Sequence, residues 1–219
     1  MRYPYLNDVC PRFYCLMRRI GLFGGTFDPV HKAHIRLAVT CREKLGLDEV
    51  WLMVSPQNPW KSGSLMTPDH HRLMMARLAV EEEDGIVASD YELNLPTPSY
   101  TYKTLRSLRH DFPSDTFVLL VGGDNWAAFD KWAEYREILA HHTIAVYPRP
   151  GSPVVTPHAL RALAGDHVIL DAQQMDISSS MIRGNIARGH DVTGLLPEAV
   201  EKYIRTNHLY EKNNHIESL

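Results

Sequence analysis

The stretch Gly24-Gly25-Thr26-Phe27-Asp28-Pro29-Val30-His31-Lys32-Ala33-His34 carries residue types suited to holding phosphate. Two glycines directly after an apolar run let backbone N–H groups come close to an anion and point at it. His31 and His34 share one face near the start of a helical pattern, where the helix dipole adds to the attraction for negative charge. Taken alone, such a pair also reads as two surface histidines or as half of a metal site. No His, Cys or carboxylate nearby has the spacing that completes a zinc set. The preceding Gly-Gly-Thr-Phe-Asp-Pro shifts the reading to phosphate, in a loop that is neither Gly-Lys-Ser/Thr nor Gly-x-Gly-x-x-Gly in type.

A second anion site is readable in Ile177-Ser178-Ser179-Ser180-Met181-Ile182-Arg183. Serines opening a helix cap its free N–H groups or leave them aimed at an anion. Arg183, one turn further on, offers a forked and permanently charged donor. As a lone feature this is a capped helix with a surface arginine; two anion sites in one chain suit a triphosphate. Asp124, in Gly122-Gly123-Asp124-Asn125, follows an apolar run and can accept from ribose hydroxyls. Lys61 by itself is a loop lysine, Trp132 by itself a core residue, and Ser99–Leu105 a capped helix start. The remaining histidines, including His70-His71 and His141-His142, read as surface or helix-end residues. Cys41, among apolar helical neighbours, reads as buried.

Periodicity supplies the elements that must position these groups. Short apolar runs at Ile20–Phe23, Val50–Val54, Ile86–Ser89, Phe117–Val121, Thr143–Tyr147 and Val168–Leu170 read as strands. Helical spacing is expected over His31–Leu45, over Pro68–Glu82 with Thr67 as N-cap and Pro68 at the first helical position, and over Tyr100–His110. Further helices are expected over Trp132–Ala140, near Pro157–Ala164, over Ser179–Arg188 and over Pro197–Asn207. Strands alternating with helices predict an α/β fold, a doubly wound and mainly parallel sheet with helices on both faces, in a single domain. Ligands then gather at the carboxyl ends of the strands. Pro148–Pro157, with its four prolines, reads as a surface loop within that domain.

The 219 residues hold 23 Lys and Arg against 26 Asp and Glu, a net charge of −3, which argues against bulk nucleic-acid binding but not against a small cationic pocket. Cys10, Cys15 and Cys41 form no CxxC pair, so a reducing, cytoplasmic setting is expected. No run suits a membrane span or a signal peptide. Residues 1–16 read as an N-terminal tail or as a start assigned ahead of Met17, which leads straight into the first strand.

Gly-Gly-Thr-Phe-Asp-Pro-Val-His-x-x-His resembles the HxGH nucleotidyltransferases, in particular the bacterial nicotinate-nucleotide adenylyltransferases, and the resemblance runs in order from about Ile20 to Tyr210. Ala33 stands where that family usually has Gly, so a methyl group could narrow the approach of the nucleotide. The resemblance implies that residues 17–219 form a Rossmann-like nucleotidyltransferase domain. It implies adenylyl transfer from ATP to nicotinate mononucleotide, with pyrophosphate released. His31 and His34 would then serve the α-phosphate, and Arg183, Ser179, Ser180 and Lys61 the leaving pyrophosphate. Gly24, Gly25, Thr26 and Asp124 would complete the ATP site. Asn58, Thr101 (in Ser99-Tyr100-Thr101, by its backbone) and Trp132 (by stacking on the pyridine) would bind the mononucleotide. Mg²⁺ is expected on the ATP phosphates, with no metal site built from protein groups.

The attacking group would be a phosphate oxygen, already ionised, so no general base is required and catalysis would rest on positioning and charge stabilisation. Expected partners are small molecules, without nucleic acid or membrane; a homo-oligomer stays open. Nicotinamide mononucleotide is the nearest rival substrate. A non-catalytic nucleotide-binding regulator would be expected to have lost one of His31, His34 or Arg183.

Overall fold

The computed structural model describes residues 17–56, 66–149, 154–161, 167–171 and 175–212. Residues 1–16, with their two cysteines, and the candidate site residues Asn58 and Lys61 lie outside them.

The six apolar runs become strands: β1 (Arg19–Gly25), β2 (Glu49–Val54), β3 (Ile86–Ser89), β4 (Thr116–Gly122), β5 (Thr143–Tyr147) and β6 (His167–Ile169). They form one sheet in the order β3-β2-β1-β4-β5-β6, every pair parallel. The order reverses between β1 and β4, which leaves a crevice beyond their carboxyl ends. Along β1, neighbouring side chains point to opposite faces, and each face has its own helical cover. Phe23 belongs to a core with α1 (Lys32–Leu45), α2 (Asp69–Val80), α7 (Ser179–Ala187) and α8 (Glu198–Thr206), through Ala38, Met75, Ile182 and Val200. Ile20 and Leu22 belong to the other, with α3 (Thr101–Asp111), α4 (Gly123–Trp126), α5 (Tyr135–His141) and α6 (His158–Arg161), through Leu108, Trp126, Ile138 and Leu160. The buried thiol of Cys41 sits in the first of these cores. No helix among the described residues is long and apolar enough to cross a membrane.

Several local expectations are corrected. Helix α2 starts at Asp69 with Pro68, not Thr67, at the N-cap position, because Pro68 is extended (ψ 145°) and the Thr67 carbonyl is taken by the Arg72 side chain. The helix expected from Trp132 starts only at Tyr135: residues Phe129–Lys131 make a 3-10 turn and Glu134 adopts a left-handed conformation (φ 52°) that separates the two. Helix α4 and a 3-10 turn at Tyr91–Asn94 were not signalled by periodicity. Strand β6 is placed one residue earlier than its apolar run suggested. His142 stands at the end of α5 but is buried, with its Nδ1 3.4 Å from the Phe117 carbonyl, and His167 is half-buried, stacked on Trp126.

Candidate active site

The first loop leaves β1 at the crevice under unusual constraint. Phe27 takes a positive φ (47°), a conformation that costs a side-chain-bearing residue about 1–2 kcal/mol and persists only where its surroundings hold it. Those surroundings are specific. The Phe27 ring meets Phe23 and His34 edge-on and lies over Gly25, where a Cβ would sit 3.0 Å from it. Arg72, fully buried on α2, donates to the carbonyls of Thr26 (2.6 Å), Ser55 (2.9 Å) and Thr67 (2.9 Å) and pairs with Asp69. Asp28 is buried too; its carboxylate accepts from the Tyr210 hydroxyl at 2.7 Å. The loop is thus tied from below to β2, α2 and the segment after α8, leaving its upper surface to a ligand.

His31 caps the start of α1, and its ring stacks on that of His34 at 3.7 Å between centroids. The His31 backbone N–H donates to His34 Nδ1 at 3.3 Å, so the His34 proton sits on Nε2, the nitrogen left to meet a ligand. Burial first, and then the nearby Arg149 charge, lowers the His31 imidazole to about 4. Burial, then His31 and Arg149, holds His34 well below the usual histidine range. Both rings are neutral donors near pH 7 in the ligand-free protein. Because the unfolded value of 6.5 is higher, the unfolded chain takes up more protons as the pH falls, so stability is lost between about pH 6.5 and 4. For His31 the displacement corresponds to roughly 3 kcal/mol by pH 4. Urea midpoints measured across that window should fall steeply for the wild-type protein and less steeply for His31→Gln. Equal slopes would place the acid sensitivity elsewhere.

The second segment docks on the first. Ser178, rather than Ser179 or Ser180, caps α7 by accepting from the Met181 N–H at 3.2 Å. Ser179 Oγ donates to the Pro29 carbonyl at 2.9 Å, and Arg183 donates to the Asp28 carbonyl at 2.6 Å. Ser180 is exposed, its Oγ 3.2 Å from that of Ser178. The N-termini of α1 and α7 therefore open on one cavity of about 600 Å³, whose wall includes Gly24–Phe27, His31, His34, Asp124 and Ser178–Ser179. Ala33 lines it as well.

A second cavity, of about 240 Å³, lies on the other side of Gly24–Thr26 and is lined by Ser55, Glu92, Thr101, Asn125 and Trp132 among others. Thr101 is the first residue of α3, and Trp132 packs at 4.9 Å from Phe129, its ring only partly buried. Glu92 accepts from the hydroxyls of Ser55 (2.7 Å), Ser99 and Thr104 (3.2 Å), which binds the end of β2 to the start of α3 across the cavity. Ser99 is therefore spent on Glu92 rather than on capping α3.

Arg149, just after β5, lines both cavities and pairs with Asp124 at 3.2 Å. The pair rests on Gly122, where an added Cβ would stand 2.6 Å from Arg149 Nε and from Asp124 Oδ1. Gly122→Ala should therefore displace both side chains while leaving the fold intact. The expected outcome is a thermal midpoint within a few degrees of wild type and kcat/KM lower by roughly tenfold, about 1.4 kcal/mol of transition-state stabilisation. Unchanged kinetics would detach this pair from the reaction.

Arg72, Glu92, Arg149 and Tyr210 were not among the candidates read from the sequence. Arg72 had a signal: it stands where Met75, Ala76 and Ala79 define the apolar face of α2 at i+3, i+4 and i+7. A charge in such a place needs internal partners. The other three are spaced by tertiary structure alone. Among the described residues no group of three or more His, Cys, Asp or Glu side chains is placed to hold a metal ion.

The cytidylyltransferase-like family model matches residues 22–185. The chain is 41% identical over 186 residues to a protein of Bacteroides fragilis, covering 85% of this chain and 90% of that one. It is 40% identical over 194 residues to one of Flavobacterium johnsoniae, covering 89% and 100%. Both relatives carry the name "probable nicotinate-nucleotide adenylyltransferase". Among solved structures, the Plasmodium falciparum nicotinic acid mononucleotide adenylyltransferase complexed with NaAD superposes with a TM-score of 0.72 over 88% of this chain and 97% of that one. At 19% identity that likeness speaks for the fold, and it agrees with the doubly wound parallel sheet.

Proposed function

The chain belongs to the cytidylyltransferase-like family, with the nicotinate-nucleotide adenylyltransferases as its relatives, and we propose that it transfers the adenylyl group of ATP to nicotinate mononucleotide, giving nicotinate adenine dinucleotide and pyrophosphate in NAD biosynthesis. The observation that carries this reading is the meeting of Gly24–His34 with Ser178–Ser179 over one cavity, the two segments joined by Ser179 and Arg183, with a second cavity that includes Trp132 across the same loop. Two ligands can thus face each other across Gly24–Thr26.

The mononucleotide phosphate attacks the α-phosphorus of ATP in line, and pyrophosphate departs. A phosphate oxygen needs no base, and two neutral histidines are poor bases but good donors. His34, through Nε2–H, is assigned to charge building on the α-phosphate, with His31 beside it. Gly24, Gly25 and Thr26 cradle the phosphates, and Asp124 takes the ribose. The α7 start with Ser179 and Ser180, together with Arg183 and Lys61, holds the pyrophosphate. Arg183 keeps N–H donors beyond the one given to the Asp28 carbonyl, whereas Ser179, its hydroxyl proton spent on the Pro29 carbonyl, offers its backbone N–H at the helix start. Mg²⁺ would be held by the ATP phosphates and water and would neutralise part of their charge; of the nearby carboxylates, Asp28 and Asp124 already accept from Tyr210 and Arg149, and Asp176 lines the same cavity. The odd number of cysteines, with no CxxC spacing among them, supports a cytoplasmic setting for this reaction.

Thr101, Asn58 and Trp132 are assigned to the mononucleotide. Free N–H groups at the start of α3 favour a carboxylate over an amide. Trp132→Ala should raise the KM for the mononucleotide about tenfold, the loss of one stacked contact of ~1–1.5 kcal/mol, with the KM for ATP nearly unchanged. Equal loss for both substrates would remove the stacking role. The reaction itself is tested with labelled ATP: an α-phosphate label should appear in the dinucleotide and a γ-phosphate label in pyrophosphate. Label released as orthophosphate would contradict adenylyl transfer.

A further inference from the structure

The proposed reaction brings two anionic ligands to contact distance, and in a partly dehydrated cleft their repulsion is several times stronger than in bulk water. Among the described residues, Arg149 is the one Lys or Arg side chain in the walls of both cavities. Its guanidinium donates to Asp124 at 3.2 Å and to the Tyr147 hydroxyl at 3.1 Å, and lies 5.6 Å from the centre of the Tyr147 ring. Tyr147 is itself buried at the end of β5 and belongs to both cavity walls, so it fixes the root of the Arg149 side chain at their junction. The absence of a side chain at Gly122 gives the pair its seat. With Asp124 and Arg149 both about two-fifths exposed, the ion pair is weak and its guanidinium is free to turn.

We infer that Arg149 is a cation shared by the two subsites, which screens the phosphate of the mononucleotide from those of the nucleoside triphosphate so that both bind together. The inference rests on the proposed reaction. Neutral His31 and His34 donate hydrogen bonds but bring no charge, and Arg183 is in the wall of neither cavity. Asp124 and Tyr147 act through Arg149 as positioning residues: they hold the guanidinium at the junction until phosphate replaces the carboxylate.

Equilibrium binding separates this role from a contact made in one subsite only. The affinity for nicotinate mononucleotide is measured with and without saturating Mg²⁺ and α,β-methylene ATP, whose carbon bridge blocks transfer. In the wild-type protein the two ligands should bind with little mutual interference. In Arg149→Gln, occupation of the triphosphate site should weaken the mononucleotide by roughly tenfold or more, within the usual range of site–site coupling. Nicotinate riboside, which lacks the phosphate, should show no such penalty. A variant in which the two ligands remain as independent as in wild type, or a penalty of equal size for the riboside, overturns the shared-cation role. A wild-type protein that binds neither ligand contradicts the proposed reaction instead, so the two failures are distinguishable.

Discussion

Replacing His34 by alanine is expected to lower kcat by about 10²–10³-fold, the usual consequence of deleting one preorganised donor aimed at developing charge. The expectation follows from geometry. His34 has its Nδ1 occupied by the His31 N–H, which commits Nε2–H to the cavity, and burial keeps the ring neutral. A neutral donor in a partly dehydrated site contributes most when charge accumulates on the α-phosphate, so the loss should fall on kcat rather than on either KM. The ring packs edge-on against Phe23 and Phe27 at the cavity wall, and its removal should shift the thermal midpoint by a few degrees at most. Steady-state kinetics and a melting curve on the same preparation check both halves. A variant that fails to fold, or one with wild-type kcat, would move His34 from the reaction to the scaffold.

Arg72 is expected to show the opposite signature. It is a charge with no exposure to solvent, satisfied by three backbone carbonyls and by Asp69. Arg72→Met fills similar volume but leaves those carbonyls unpaired, and breaking a buried, hydrogen-bonded charge costs about 3–5 kcal/mol. Asp69 is half-exposed and can rehydrate, which limits the loss to the carbonyl side. Two of those carbonyls belong to the loop after β1 and to the residue after β2, which line the proposed site, so activity should disappear along with stability. Urea denaturation should show the unfolding free energy falling by that amount, seen as a lower midpoint at an unchanged slope. Loss of less than about 1 kcal/mol would mean that the loop is held by Phe27 and Asp28 without Arg72.

Much of this site is legible in one dimension because its parts are local. Glycines follow β1 and β4, serines open α7, and parallel strands must end where ligands gather. His31, His34 and Asp124 accordingly fall on one cavity, and Thr101 and Trp132 on its neighbour. What stayed illegible is long-range. Arg149 matters because Gly122 and Tyr147 seat it between two cavities, and Tyr210 because its hydroxyl reaches Asp28 across 182 residues of chain. Glu92 joins Ser55 to Thr104, a contact that no periodicity encodes. Which of the serines caps α7 is also set at long range: Ser179 turns to the Pro29 carbonyl of a distant loop, leaving Ser178 to cap. Trp132 lost its place in a helix because Glu134 adopts a left-handed conformation, a backbone choice that helical spacing does not reveal.

The central claim is adenylyl transfer with preference for an acidic pyridine mononucleotide. Pyrophosphate release measured side by side with ATP and either nicotinate or nicotinamide mononucleotide tests it most directly. Release should depend on the mononucleotide and should be faster, at limiting substrate, with nicotinate mononucleotide by at least tenfold, about 1.4 kcal/mol of discrimination. Release with neither compound, or a preference for the amide, would contradict it.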